Sequence, residues 1–347
     1  MHALTVEPGK ANSIALEDIP SPLARDGDLM VRALALGVCG TDRDIIAGDY
    51  GWAPPGAPRL VIGHESLGVV ETAPPGSGFA AGDHVVGIVR RPDPVPCPAC
   101  AAGEWDMCRN GQYTERGIKE RDGYGAERYC LSPEFTVKVD RGLGILAVLL
   151  EPASVVAKAW DHVTRIGRRS RSWQPRSALI TGAGPVGFLA AMMAAQQGLD
   201  VHIFDRATAG PKPELTRALG ATYHTGDFGG LRPDVVIECT GAGAVVLNAI
   251  NASAIGGIVC LAGIGPDGPP SSLDVARLNR NLVLANEVVF GTVNANRAHY
   301  EAAAAALAKA DRAWLGRLIS RRVPLTRWRE AFDNRPDDIK VVIDFSA

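Results

Sequence analysis

The sequence predicts an α/β protein of two domains, a doubly wound parallel sheet and a partner of mainly antiparallel β structure. Three observations predict it. Between residues 176 and 293 short apolar runs alternate with helical patterns, the order that builds parallel sheets from βαβ units. Before residue 155 the runs are short, β-type and closely punctuated by Pro and Gly, as in antiparallel, barrel-like domains. The length, 347 residues, exceeds what one hydrophobic core usually serves.

The parallel half begins with the apolar run Ser177 to Thr181, followed at once by Gly182-Ala-Gly184-Pro185-Val186-Gly187. An Ala-rich helical pattern runs from Val186 to Gln197, and a second β-type run, Asp200 to Phe204, ends on Asp205. This is strand, Gly-rich turn, helix, strand and acid, as a dinucleotide-binding βαβ unit requires. Gly182 makes the tight turn, Gly184 lets the backbone approach a pyrophosphate, and Gly187 lets helix and strand pack closely. The helix N-terminus offers free N–H groups to the phosphates. Asp205 is placed to hold the ribose hydroxyls, which favours NAD, while the adjacent Arg206 suits the 2′-phosphate of NADP. NAD is slightly preferred on this reading.

Further strands are expected at Val235–Cys239, Gly257–Ala262 and Glu287–Phe290, a helix over 298–310, and a last strand at Lys340–Phe345. The earlier half offers strands at Asp28–Leu36, Ser66–Glu71 and His84–Arg90. The tail is expected to return to the first domain. The domains are then 1–160 with 297–347, and 161–296. Arg168 to Pro175 reads as an exposed basic connector.

Composition excludes several classes. The chain is 46% hydrophobic and 21% charged, as in ordinary globular proteins. A net charge of −2 gives no reason to expect nucleic acid or an anionic membrane as partner. No apolar run was found to approach a membrane span, and the N-terminal residues lack a signal-peptide pattern. Seven cysteines, three of them clustered, fit a reducing cytoplasm better than secretion.

Three separated segments hold potential metal ligands: Cys39 before Gly40-Thr41-Asp42, the pair His64-Glu65 after Gly63, and Glu151 before Pro152. A thiolate, an imidazole and a carboxylate from different loops suit a catalytic zinc with one position left for water or substrate. Taken singly, a Cys is usually a small buried hydrophobe and a Glu usually solvated.

In order and spacing these motifs resemble the medium-chain zinc-dependent alcohol and polyol dehydrogenases, and the chain looks most like their glucose 1-dehydrogenase branch. Ala3–Gly9, Glu115–Ile118, Asp122–Glu127, Glu151–Lys158 and Gly291–Asn296 carry the closer likeness. The resemblance covers essentially the whole chain. It implies a Rossmann domain beside a GroES-like barrel that holds the catalytic zinc. It implies that Cys39 and His64 are constant zinc ligands, and that Glu65 and Glu151 bind the metal directly or through water. It gives Thr41 the reacting hydroxyl and the start of a proton relay, and Asp42 the orientation of His64. Asp44 stands where a His often continues that relay. Glu115 and Asn294 match sugar-contacting positions, and Asn294 is also assigned to the cofactor site.

The implied reaction is hydride transfer from a sugar or polyol hydroxyl to the nicotinamide of NAD or NADP, with Zn2+ as Lewis acid. Aldose C1 is the most specific version. The alternative is a pathway-specific dehydrogenase or reductase, or a redox-neutral epimerase, acting on a cyclitol or nucleoside-like alcohol. A non-catalytic dinucleotide sensor is a third class, disfavoured because it has no use for Cys39, Thr41, His64 and Glu151. The family further implies a homodimer or homotetramer. Cys97, Cys100 and Cys108 resemble its structural-zinc loop but supply only three of four cysteines. Asp93, Asp106 or a residue from elsewhere would complete it, Asp93 being the choice. Each remaining His reads as structural.

Overall fold

A computed structural model describes residues 1–25, 27–228, 230–265 and 273–346. The chain forms two compact units, residues 1–154 with 294–347, and residues 155–293. The boundaries thus lie a few residues before those expected at 160/161 and 296/297. The first falls inside the helix Leu150–Gly167, where composition gives no break.

The first unit is built around the strand Leu29–Val38. Leu29, Val31 and Ala33 are buried while Arg32 between them is exposed, the alternation of a half-buried strand; beyond Ala35 the strand is buried on both faces. It pairs antiparallel with Glu65–Thr72, Arg128–Leu131 and Lys340–Asp344. The seven-stranded sheet continues through His84–Gly87 to Thr136–Lys138 on one side and through Lys340–Asp344 to Ile319–Pro324 on the other. Two three-stranded sheets complete the unit, one of Ala15–Asp18, His2–Val6 and Leu60–Val61, the other of Arg90–Arg91, Thr114–Arg116 and Glu120–Arg121. Leu4, Val31, Leu36, Ile45, Tyr124 and Ile343 belong to one contiguous core, so the C-terminal strand packs with the N-terminal one.

The second unit is a six-stranded parallel sheet in the order Thr222–His224, Asp200–Phe204, Ser177–Thr181, Val235–Glu238, Ile258–Leu261, Val288–Gly291. The strand order reverses beside Ser177–Thr181, and open α/β sheets bind ligands at such a switch point, beyond the strands' C-terminal ends. Both faces of the central strands are buried, which explains their unbroken apolar runs. The helix Pro185–Gln196 follows the Gly-rich turn, with Pro185 at its first position, where a missing N–H costs nothing. Its residues from Gly187 to Ala194 are buried, so the Ala-rich composition matches a helix packed on all sides.

The basic segment after residue 167 is exposed, as expected, and Arg169 Nη2 also donates to the Gly256 carbonyl at 3.2 Å and to that of Asn286. One expectation changes: the segment Arg141–Gly167 has the length and mean hydropathy, 1.6, of a membrane span. It is kinked at Gly144, and 72% of the apolar window is buried inside the protein, as in a core helix.

Candidate active site

In the first unit, Cys39 caps the helix Gly40–Ala47. Asp42, three residues on, reaches back to accept the Cys39 N–H at 2.9 Å, which fixes the turn that presents the thiol. His64 and Glu65 sit at the start of the strand Glu65–Thr72, next to Leu29–Val38. The preceding Gly63 has φ +93°, and a Cβ there would fall 2.6 Å from Leu36 Cδ2. Gly37 is equally constrained: a Cβ would lie 2.0 Å from Glu65 Oε2. Two glycines thus make the space in which the His64-Glu65 pair turns inward.

One donor atom each from Cys39, His64 and Glu65 lie within 4.8 Å of one another. His64 and Asp42 are almost fully buried, and His64 Nδ1 stands 3.4 Å from Asp42 Oδ1. Neither atom has a hydrogen-bond partner by strict geometry. Burial would lower the imidazole pKa, but Asp42 and Cys39 outweigh it and hold it well above its usual value. Glu151, in the first turn of Leu150–Gly167, is buried close enough to feel His64 and Glu65; burial first, then Glu65, pushes its carboxyl up to about 7. A half-buried sulfur with buried nitrogen and carboxylate donors, gathered around orphaned polar atoms, fits a zinc ion, whose positive charge relieves the burial cost of the buried groups. Thr41 Oγ1 lies 4.0 Å from Cys39 Sγ. Asp44 is exposed.

No sequence pattern marks Lys340 as part of this group. Its ammonium lies 2.6 Å from both Glu65 oxygens and also donates to the Val38 carbonyl at 3.1 Å. Both side chains are 2% exposed. Burial opposes the charge on Lys340, and Glu65 restores it, leaving its pKa raised. Glu65 therefore faces a protein cation as well as the ligand group.

Glu115 and Asn294, far apart in sequence, are joined by a 2.7 Å bond from Asn294 Nδ2 to Glu115 Oε1. Arg90, also missed, donates to the same oxygen through Nε at 3.0 Å and Nη2 at 2.9 Å, and lies over the Tyr113 ring. A buried Arg–carboxylate pair of this kind fixes the carboxylate's orientation.

The cysteine lobe is also assembled. The sulfurs of Cys97, Cys100 and Cys108 lie within 4.8 Å of one another. The Arg109 N–H donates to Cys97 Sγ at 3.4 Å, and this amide leads the contacts that bring the Cys97 thiol down to about 6; burial lifts Cys100 to about 11. Three sulfurs so placed fit a zinc. Asp93 does not join the group: its Oδ1 accepts the Val95 N–H at 2.8 Å and its Oδ2 is buried without a hydrogen-bond partner. Asp106 accepts from Asn296 Nδ2 at 2.9 Å instead.

In the second unit the three motif glycines occupy different environments. Gly182 has φ +91°. A Cβ on Gly184 would meet nothing within 4 Å, whereas one on Gly187 would lie 1.8 Å from the Gly182 carbonyl oxygen. The turn therefore has an open side at Gly184 and a closed one at Gly187, with Val186 in the first helical turn. Asp205 differs from expectation. Its Oδ2 accepts the Ala183 N–H at 2.8 Å, its Oδ1 the Ala207 N–H at 3.0 Å, and Lys212 Nζ lies 3.1 and 3.2 Å from the two. Burial works against the carboxylate, but the two amides and Lys212 keep its pKa low. Its oxygens are thus engaged by the protein, and Arg206 beside it is exposed. Glu238 is a further residue the sequence did not single out. Fully buried, it accepts from Thr181 Oγ1 at 3.0 Å, Thr240 N–H at 2.8 Å and Gly241 N–H at 2.9 Å. Asp205 holds the Gly-rich turn at Ala183, and Glu238 holds the end of the preceding strand at Thr181, from the two strands that flank Ser177–Thr181. His202 and His224 are also paired, ring nitrogens 3.0 Å apart.

Comparison with known proteins follows this geometry. The model of the alcohol dehydrogenase GroES-like domain matches residues 25–141, and that of the glucose dehydrogenase C-terminus matches residues 144–345. The glucose 1-dehydrogenase of Methanocella arvoryzae is 39% identical over 360 residues, covering 100% of both chains. That of Thermoproteus tenax is 38% identical over 358 residues, covering 99% of each. Among solved structures, Haloferax mediterranei glucose dehydrogenase in complex with NADP, Zn and gluconolactone superposes with a TM-score of 0.92 at 30% identity, over 100% of both chains. With both domain types in sequence, the chain belongs to the zinc- and NAD(P)-dependent medium-chain alcohol dehydrogenases, in their glucose 1-dehydrogenase branch.

Proposed function

We propose that the protein oxidises an aldose at C1, with glucose the first substrate to test, and passes the hydride to NAD or NADP. The observation that carries this reading is the bonded trio Glu115, Asn294 and Arg90 in the same unit as the Cys39–His64–Glu65 cluster. Buried, pre-oriented carboxylate and amide groups suit a polyhydroxylated substrate, since they reject analogues that cannot bond them. The Haloferax mediterranei relative was solved with gluconolactone, the C1 oxidation product of glucose.

Cys39, His64 and either carboxylate would hold the zinc, with Glu151 the freer of the two because Glu65 already faces Lys340. When bound, the ion supplies Lewis acidity that eases loss of the substrate's hydroxyl proton. Thr41 accepts that proton's hydrogen bond, Asp42 keeps the His64 ring oriented, and Glu115 with Asn294 fixes the sugar through its other hydroxyls. Gly184 and the start of Pro185–Gln196 receive the pyrophosphate. The exposed edge strand Val288–Gly291 is where two copies would pair into a dimer. Free thiols favour a reducing compartment such as the cytoplasm.

The test is appearance of the near-ultraviolet band of reduced nicotinamide with zinc-loaded protein, either cofactor, and a panel of aldoses, polyols and simple alcohols. Turnover of polyols or simple alcohols in preference to aldoses would overturn the C1 reading. Cys39→Ala should abolish turnover and retain dinucleotide binding; full activity in that variant would remove the zinc assignment.

A further inference from the structure

The small sheet of Arg90–Arg91, Thr114–Arg116 and Glu120–Arg121 carries two kinds of charge. Arg90 and Glu115 neutralise each other. Arg91, Arg116 and Arg121 do not. Arg116 and Arg121 are register partners on adjacent strands, and Arg91 is the partner of Thr114. Like charges directly opposite one another destabilise a strand pair.

The hydrogen bonds of these three residues go to uncharged acceptors. Arg91 Nη1 donates to the Ile88 carbonyl at 2.6 Å, and its guanidinium lies over the Phe135 ring. Arg116 donates to the carbonyls of Asp122 at 3.0 Å and Cys130 at 2.7 Å, while its Nε is buried without an acceptor. Arg121 Nε donates to Thr114 Oγ1 at 3.1 Å. Tyr124 lies among them, its hydroxyl also on the Ile88 carbonyl and its ring under Arg116. Among the described residues none of the three has a carboxylate within ion-pair distance. Asp28 favours the charge on Arg121 from a distance and Arg25 opposes it.

Arg91 is 7% exposed. Burial depresses its pKa to about 10, and Arg116 and Arg121 add to the effect. A buried cation without a counter-charge is costly, and two cationic neighbours raise the cost. Carbonyl oxygens satisfy donors but do not cancel three charges.

We propose that Arg91, Arg116 and Arg121, with the Thr114 hydroxyl, form a binding site for a tetrahedral oxyanion, phosphate or sulfate, free or as the phosphate group of a small ester. Planar guanidinium forks suit such oxygens, and the spare Nε of Arg116 and the remaining N–H groups of Arg121 supply donors. None of these residues is among the candidate zinc ligands or the residues of the Gly-rich turn, and the site does not depend on the sugar reading.

An anion that binds only the folded state stabilises it by mass action. The experiment is thermal unfolding of the zinc-loaded protein in inorganic phosphate, in sulfate and in glucose 6-phosphate, against chloride at equal ionic strength. The expected result is a rise in melting temperature of about 2–4 °C, roughly what 1 kcal/mol produces at this domain size. Arg121→Gln should lose most of the rise and Arg121→Lys should keep part of it. Sulfate also acts on any protein by exclusion from its surface, so the difference between wild type and variant is the readout. An equal rise in wild type and Arg121→Gln, or no rise in either, would overturn the proposal. Should Arg121→Gln fail to fold in chloride, the comparison passes to Arg121→Lys, where an unaltered rise with both anions, together with no saturable heat of phosphate binding to the wild type, has the same force. A response to inorganic phosphate without one to the ester identifies the free anion as ligand, and the reverse identifies an ester.

Discussion

Lys340 Nζ sits 2.6 Å from each oxygen of Glu65, with both side chains 2% exposed, joining the last sheet strand to the residue after His64. Removing one member of a buried pair strands the other's charge, at about 3–5 kcal/mol, while removing both costs far less. Lys340→Met should therefore lower unfolding free energy by that order, and the double variant Lys340→Met with Glu65→Gln should recover much of it. Denaturant melts of the zinc-loaded variants, analysed as a double-mutant cycle, check this; additive effects would show that the pair is not coupled.

Gly37→Ala places a methyl group where Glu65 Oε2 now lies, 2.0 Å from the ideal Cβ position. The carboxylate must move, and overpacking of this kind typically costs about 1–3 kcal/mol. Zinc content measured after dialysis should fall together with melting temperature. A variant with normal metal retention and stability would mean that the Glu65 carboxylate is free to relocate.

The Gly-rich turn offers a paired contrast. Gly184→Ala meets nothing within 4 Å and Gly187→Ala meets the Gly182 carbonyl at 1.8 Å. The first should leave stability within about 0.5 kcal/mol of wild type, as for a surface change, and weaken dinucleotide binding. The second should destabilise the fold itself. Cofactor titration by fluorescence beside thermal melts separates the two effects.

Asp205→Ala removes the acceptor of the Ala183 and Ala207 amides and frees Lys212. Asp205 holds the turn, and on the proposed reading it also meets the ribose, so KM should rise for both cofactors, and more for NAD than for NADP. Equal KM values in variant and wild type would detach this carboxylate from the cofactor site.

Cys108→Ser tests the cysteine lobe. Its sulfur shares the 4.8 Å cluster with Cys97 and Cys100. Metal analysis should find one zinc fewer per chain than in wild type, with turnover retained by the folded fraction. Unchanged zinc content would leave the lobe as a set of packed thiols.

Short-range order made much of this legible in advance. The strand, turn and helix of Ser177–Gln196 follow from local spacing, and the roles of Gly182, Gly184 and Gly187 are each a matter of what a single Cβ would touch. Cys39, His64 and Glu65 were found as residue types, but their convergence depends on Leu29–Val38 pairing with Glu65–Thr72, a contact between segments far apart in the chain. Lys340, Arg90 and Glu238 were missed for the same reason. A Lys opening a terminal strand looks like a solvated charge until the fold buries it against Glu65. The position of Asp205 at the end of its strand is legible in the sequence, but its bond to Lys212 needs the geometry of the following loop. Asp93 lies beside the lobe, its backbone amide reaching Cys100, but its carboxylate stands outside the sulfur cluster because Val95 N–H holds one of its oxygens.

The pairing of Lys340–Asp344 with Leu29–Val38 also bears on biosynthesis. Synthesis delivers Cys39, His64 and Glu65 early and the cation for Glu65 nearly three hundred residues later. Any nascent chain halted before residue 340 carries a buried acid without its counter-charge and a central strand with an open edge. The dinucleotide unit, residues 155–293, is thus complete in sequence before the strand that closes the metal-binding unit is made.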